Sequence, residues 1–329
     1  MTPQATRITL AEVQRPVVGR LDAVTTDLRK IIAADFPLIQ EVTGHLLQMK
    51  GKMLRPTLLL LANQAAAAED SRCIRLAAVI ELIHLATLVH DDSVDHSALR
   101  RGMPTINSLF SHQVSVIMGD YLYSRAIIEL VRLEDVDPLR VLARATNEMT
   151  IGEMRQLGAY DALSFREEDY ELVIRSKTAS LFSAACECGA LRAAPETRAA
   201  LRSYGDALGM AFQIADDLLD YTEPVAVTGK PSGHDLKEHK VTLPLIAALP
   251  HFSDAERREA QALFATDEPG DDQVARMSDL VARSGGLDLA RTRAQEYALK
   301  AEAALATLEP SEARDALQGA IAYAVERRR

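Results

Sequence analysis

Apolar residues recur at spacings of three and four along most of the chain, Ala and Leu dominate, and alternating apolar–polar runs bounded by turns are scarce. This pattern predicts an all-α protein. Helices are expected at 19–33, 36–50, 55–68, 72–95, 105–132, 138–160, 167–189, 196–222, 241–249, 253–265, 273–284, 287–308 and 311–327. Ser253 followed by Glu256 is a capping-box pattern, and Gly285-Gly286 and Glu309-Pro310 punctuate the last helices. Two stretches fall outside the helical pattern. The segment 222–240, carrying Gly, Pro, Asp and several Lys, has the make-up of a functional loop, and 266–272 that of a solvated connector.

The chain has 329 residues, 48% hydrophobic and 26% charged, enough to bury a substantial core. No Pro/Gly/Ser-rich stretch divides its middle, so residues 1–329 are expected to form one domain. With 37 Lys and Arg against 47 Asp and Glu the net charge is −10, which argues against nucleic-acid binding. An anionic ligand would need cations to help hold it. The N-terminal segment does not read as a signal peptide, and the longest apolar runs stop short of a membrane span, so no stable membrane anchor is expected. Cys73, Cys186 and Cys188 make a poor disulfide or zinc pattern, and a cytoplasmic setting follows as the expectation.

Chemistry concentrates in two places. ELIHLATLVHDDSVDH puts Asp91, Asp92 and Asp95 after an apolar helical run, and QIADDLLDY puts Asp216, Asp217 and Asp220 after another. Residues four apart share a helix face, so Asp91 with Asp95, and Asp216 with Asp220, can present converging carboxylates to a divalent cation. A solvated acidic helix end is the plain alternative for one such cluster. Acids at a helix C-terminus oppose the macrodipole, however, and a compensating cation explains the double occurrence better. Basic residues follow both clusters: Arg100 and Arg101 after the first, Lys230 and Lys240 after the second. Carboxylates, Mg²⁺ and basic groups together describe a diphosphate site. Lys52 and Arg55 are three apart, on one helix face if the helix has begun there, and His84 lies two turns before Asp91.

GKMLRP (51–56), 81–107 with its LVHDDSVDHSALRRGMPTIN, GDYLYSRA (119–126), KTASLF (177–182), FQIADDLLDY (212–221) and GKPSGHDLKEHKVTLPL (229–245) resemble the trans-isoprenyl diphosphate synthases, or polyprenyl synthetases. The resemblance spans nearly the whole chain. It implies the isoprenoid synthase fold: a single large all-α bundle around a deep central cavity, usually in a homodimer. Asp91, Asp95 and Asp216 would bind three Mg²⁺ ions carried with substrate diphosphate, with Asp92, Asp217 and Asp220 supporting them through water or hydrogen bonds. Arg100, Lys177, Lys230 and Lys240 would hold an allylic diphosphate, and Lys52, Arg55, His84 and Arg101 isopentenyl diphosphate. Oxygens of Thr178 and Gln213 would face the passing positive charge. The family's usual basic residue between Lys52 and Arg55 is here Met53, and the usual Lys after RRG is Met103.

The family's short-chain members place bulky aromatics where this chain has Ala86 and Thr87, so an open tunnel is expected, with Tyr123 and Ile127 as candidates for its floor. The implied product is a medium or long polyprenyl diphosphate of seven to ten units, a quinone side-chain precursor. A short-chain farnesyl or geranylgeranyl synthase is the alternative. A non-catalytic prenyl synthase subunit would not need the aspartates, and a terpene cyclase would not need Lys52, Arg55 and His84.

Overall fold

A computed structural model of the chain describes residues 8–49, 51–68, 70–157, 162–222 and 233–326. Helix α1 (Leu10–Gln14) runs through a 3₁₀ turn at Arg15–Val17 into α2 (Val18–Ile31); α3 is Pro37–Gln48, α4 Leu54–Ala65 and α5 Cys73–Val94. A two-residue hairpin follows, β1 (Leu99–Arg100) with β2 (Met103–Pro104), then α6 (Ile106–Leu109), α7 (His112–Arg132) and α8 (Val136–Leu157). Helix α9 (Glu167–Ile174) joins α10 (Ser180–Gly189) through a π-helical segment, Arg175–Ala179, and α11 is Pro195–Thr222. The remaining helices are α12 (His234–Lys237), α13 (Leu243–Ala248), α14 (Asp254–Phe264), α15 (Asp271–Arg283), α16 (Gly286–Leu305) and α17 (Glu312–Glu326).

Helix α5 is central because its first three turns are apolar apart from Arg75 and Glu81: Leu76, Ala77, Ala78, Val79, Ile80 and Leu82 are all fully buried. It packs on α2, α4, α7 and α10. By length and composition this helix could cross a membrane, although its longest apolar run is short in sequence; here it is a core helix. Beyond Ile83 it becomes one-sided, with Ala86 and Val89 still buried while His84, Thr87 and Asp91 line a cavity. Helix α11 repeats this design. It lies so close to the π segment that a Cβ on Gly209 would sit 2.6 Å from Ala179 Cα, which fixes how deeply its acidic end reaches.

The expected helices are present, and the differences have local causes. A capping box at Thr9, whose hydroxyl accepts from Glu12 N, starts a helix before residue 19. The expected helix 105–132 is broken after Leu109, where Ser111 caps α7 by accepting from Val114 N. The hairpin turns on Arg101 (φ 52°) and Gly102 (φ 75°), consecutive left-handed residues that suit a tight antiparallel turn.

Candidate active site

Both acidic clusters lie in the closing turns of their helices and line one cavity of about 1190 Å³. The chain from Gly233 to Lys240 stitches them together. At one end Gly233 N donates to Asp220 O (2.8 Å) and Asp235 N to Asp220 Oδ2 (3.0 Å); at the other Lys240 Nζ donates to Asp95 Oδ2 (3.1 Å) and Glu238 Oε2 (2.8 Å). Lys230 lies outside the described residues.

In the first cluster Asp91 and Asp95 line the cavity. Burial pushes the Asp91 carboxyl up to about 6, with Lys177 opposing and Glu153 and Asp95 reinforcing the rise. Asp92 is buried outside the cavity wall, where both its oxygens accept from Arg100 Nε (2.7 and 2.9 Å). It fixes Arg100 at the cavity edge.

In the second cluster Asp216 and Asp220 line the cavity with Asp217, which is buried and held by Tyr170 OH (2.6 Å) and Gln213 Nε2 (2.7 Å). Burial raises Asp217 to about 7 despite these donors, and Asp216 and Asp220 add to the rise. Gln213 Oε1 in turn accepts from Thr178 Oγ1 (2.8 Å), so the two residues expected to face a developing cation form one relay ending on Asp217. Asp235 is raised well above the carboxylate range by burial, with Asp217 and Asp220 reinforcing the shift.

Lys177 and Thr178 reach the cavity from the π segment, whose extra residue per turn presents neighbouring side chains that a regular α-helix would splay apart. Lys177 Nζ sits 2.5 Å from Glu153 Oε2 and donates to Gln156 Oε1 at 3.3 Å.

A basic pocket opens off the same cavity. Helix α4 starts at Leu54 after Met53 (φ 51°), so Lys52 precedes the helix and shares no helix face with Arg55; both still line the cavity with His84 and Arg101. Arg55 Nη1 donates to His84 Nε2 (3.1 Å), since a guanidinium has no acceptor. His84 is therefore neutral at that nitrogen, and burial followed by the nearby Arg55 and Arg101 charges holds its pKa well below the usual value. The guanidinium lies 4.7 Å over the Phe182 ring, while its Nε is buried with no hydrogen-bond partner. Burial lowers Arg55 to about 10, and Glu81, itself buried and raised, partly offsets this. An orphaned guanidinium N–H beside Arg101 is what a bound oxyanion would satisfy.

Deeper in, Ala86, Thr87 and Tyr123 line the cavity, and Tyr123 OH meets Thr146 Oγ1 at 3.3 Å between α7 and α8. Ile127 does not line it and packs into the main core. Among the described residues no three His, Cys, Asp or Glu side chains gather as a ready-made metal cage. That suits Mg²⁺, which binds through one or two carboxylates plus water and phosphate oxygens. The buried carboxyls at Asp91 and Asp217, raised by burial despite their partners, likewise fit a cation.

Sequence reasoning missed Glu81, Glu153, Gln156, Tyr170, Asp235 and Glu238. Glu81 was visible as an acid inside an apolar run, and Asp235 and Glu238 lie in the segment singled out for its lysines. Glu153, Gln156 and Tyr170 carry no local signal, because only the packing of α8, α9 and α11 brings them to the site.

The family model for polyprenyl synthetase matches residues 36–281. The chain belongs to the polyprenyl synthetase family. The octaprenyl diphosphate synthase of Escherichia coli (strain K12) is 39% identical over 300 residues, covering 90% of this chain and 92% of that one. The all-trans-nonaprenyl-diphosphate synthase (geranyl-diphosphate specific) of Rhodobacter capsulatus is 38% identical over 318 residues, 96% and 97% of the two chains. The crystal structure of a polyprenyl synthase from Caulobacter crescentus, complexed with calcium and isoprenyl diphosphate, superposes with a TM-score of 0.93 at 35% identity, covering 98% of this chain and 99% of that one. As a polyprenyl synthetase, the chain has the all-α isoprenoid synthase fold and is a transferase of prenyl groups.

Proposed function

We propose that this polyprenyl synthetase condenses isopentenyl diphosphate with an allylic diphosphate, with Mg²⁺, to give a medium or long trans-polyprenyl diphosphate. One observation carries the reading: two DDxxD clusters and a separate basic pocket with an unsatisfied Arg55 Nε share a single cavity. Asp91, Asp95 and Asp216 would hold three Mg²⁺ ions, with Asp217 and Asp220 behind them. When bound, the metal supplies positive charge that stabilises the leaving diphosphate. Arg100, Lys177 and Lys240, joined by Lys230, grip the allylic diphosphate; Lys52, Arg55, His84 and Arg101 grip isopentenyl diphosphate.

The allylic carbon–oxygen bond breaks, the isopentenyl double bond attacks the allylic cation, and a proton leaves to the released diphosphate. Holding both partners in one cavity makes the attack effectively unimolecular. Thr178 Oγ1 donates a hydrogen bond to Gln213 Oε1, which leaves the Thr178 oxygen lone pairs to face the cation.

The names of the octaprenyl and nonaprenyl relatives and the small Ala86 and Thr87 support a product of seven to ten units, suited to a quinone side chain. Two copies would pair through the outer face of α7 and α8, where Ile117, Val131 and Met154 are exposed. Cys73, Cys186 and Cys188 are buried and free of disulfides, which supports a cytoplasmic setting. The test is to incubate purified protein with Mg²⁺, isopentenyl diphosphate and dimethylallyl, geranyl, farnesyl or geranylgeranyl diphosphate and size the products. Polyprenyl products of seven or more units support the reading; cyclised hydrocarbon or no turnover overturns it.

A further inference from the structure

Glu153 of α8 is a cavity-lining acid that the two-cluster picture leaves without a task. Its Oε2 takes Lys177 Nζ at 2.5 Å, and Gln156, one turn on, accepts from the same ammonium at 3.3 Å. Its Oε1 is buried with no hydrogen-bond partner. A carboxylate present only to tie α8 to the π segment would leave no bare acceptor inside the protein, because an unmet buried acceptor is costly and is seldom retained without a use. The pair is set by the residue before it. A Cβ on Gly152 would sit 2.8 Å from Ser176 Cβ and 3.0 Å from Lys177 N, so only glycine lets α8 lie against the π-segment backbone and deliver Glu153 to Lys177.

We propose that Glu153 is a positioning residue for the allylic end of the site. It holds the Lys177 ammonium at the cavity wall, ready to meet the allylic diphosphate, and keeps Oε1 open for a water that enters with the ligand. The proposal rests on Lys177 being an allylic-diphosphate ligand. Because Glu153 acts through Lys177, its effect disappears when Lys177 is gone, and the isopentenyl pocket does not feel it.

The test uses the full-length protein. Turnover of geranyl and isopentenyl diphosphates by the wild type is measured first, and its absence overturns the functional reading itself. Geranyl S-thiolodiphosphate, an unreactive allylic analogue, is then titrated calorimetrically at saturating Mg²⁺, alongside KM for each substrate. Glu153→Gln is expected to raise the analogue Kd and the allylic KM about tenfold while the isopentenyl KM stays within about twofold. Lys177→Gln should raise the same Kd at least as much, and the double variant should be no worse than Lys177→Gln alone. Gly152→Ala, which forces the π segment off α8, gives a second route to the same selective loss. Additive losses in the double variant, an unchanged analogue Kd, or both KM values rising together with a lowered melting temperature would each overturn the proposal.

Discussion

Lys240 and Asp95 are 145 residues apart in sequence, yet the Lys240 ammonium donates to Asp95 Oδ2 at 3.1 Å and so joins the segment behind the second acidic cluster to the first. Against the pull of burial, Glu238 and Asp95 raise the Lys240 pKa above its ordinary value, so the ammonium stays charged through the neutral range. Lys240→Gln should weaken allylic diphosphate binding by about tenfold and leave isopentenyl KM unchanged, because a charged hydrogen bond is worth about 1.5–3 kcal/mol. Steady-state kinetics with each substrate varied in turn checks the split.

Asp91→Ala and Asp216→Ala each remove a proposed metal ligand. Several kcal/mol of charge stabilisation would be lost, so turnover should fall by about a thousandfold. Circular dichroism should show an intact fold, since neither side chain is a core packing element. Near-normal turnover in either variant would sink the metal assignment.

The Asp91 and Asp217 carboxyls sit at about 6 and about 7, raised by burial from the ordinary 3.8. A carboxyl with a raised folded pKa binds more protons folded than unfolded, so its contribution to stability falls as pH rises through the folded value and grows as pH drops below it. The metal-free protein should therefore lose less stability between about pH 4 and about pH 6.5 once Asp91 is replaced by Asn. Mg²⁺ affinity should fall as pH drops below about 7, because the metal needs ionised carboxylates. Thermal melts of both proteins with and without Mg²⁺ test the two statements, and identical pH slopes would contradict the first.

Ala86 lines the cavity and is 2% exposed, so Ala86→Phe should fill the tunnel and shorten the product by one or more units. Tyr123→Ala removes the Tyr123–Thr146 contact and should lengthen it. Chromatographic sizing of products from one primer decides both, and an unchanged length in both variants would show that this wall does not measure the chain.

Ile117 is 67% exposed and Met154 65% on the outer face of α7 and α8. Ile117→Asp together with Met154→Asp should convert a dimer to a monomer, as sedimentation velocity would report. A wild type that sediments as a monomer removes the dimer from the reading.

The helical fold and both acidic clusters were legible because each rests on a short local pattern: three-four apolar spacing that ends in DDxxD. His84 was legible for the same reason, lying about two turns from Asp91, and Ala86 was legible as a small residue in the same helical run. Lys52 with Arg55 was read on a helix face because nothing in GKMLRP announces that Met53 takes a left-handed turn. Asp92 was expected to act through water or hydrogen bonds, but nothing in its own stretch says that the hairpin carries Arg100 back to it over eight residues. Glu153 and Gln156 beside Lys177 and Tyr170 beside Asp217 were invisible because they come from α8 and α9, whose own sequences look like ordinary amphipathic surface.

The π segment at Arg175–Ala179 adds one residue to a turn and so advances everything after it by about 100° of helix rotation. Phe182, which lies under the Arg55 guanidinium, is downstream of that insertion, while Lys177 and Thr178 are inside it. A single backbone irregularity thus sets the angular phase of the Lys177–Thr178 wall and of the ring under Arg55 at once. Deleting one residue from it would mis-aim the Lys177–Thr178 wall and the Phe182 platform under Arg55 together, so these two parts of the cavity are tied to the same length of chain and cannot drift apart independently.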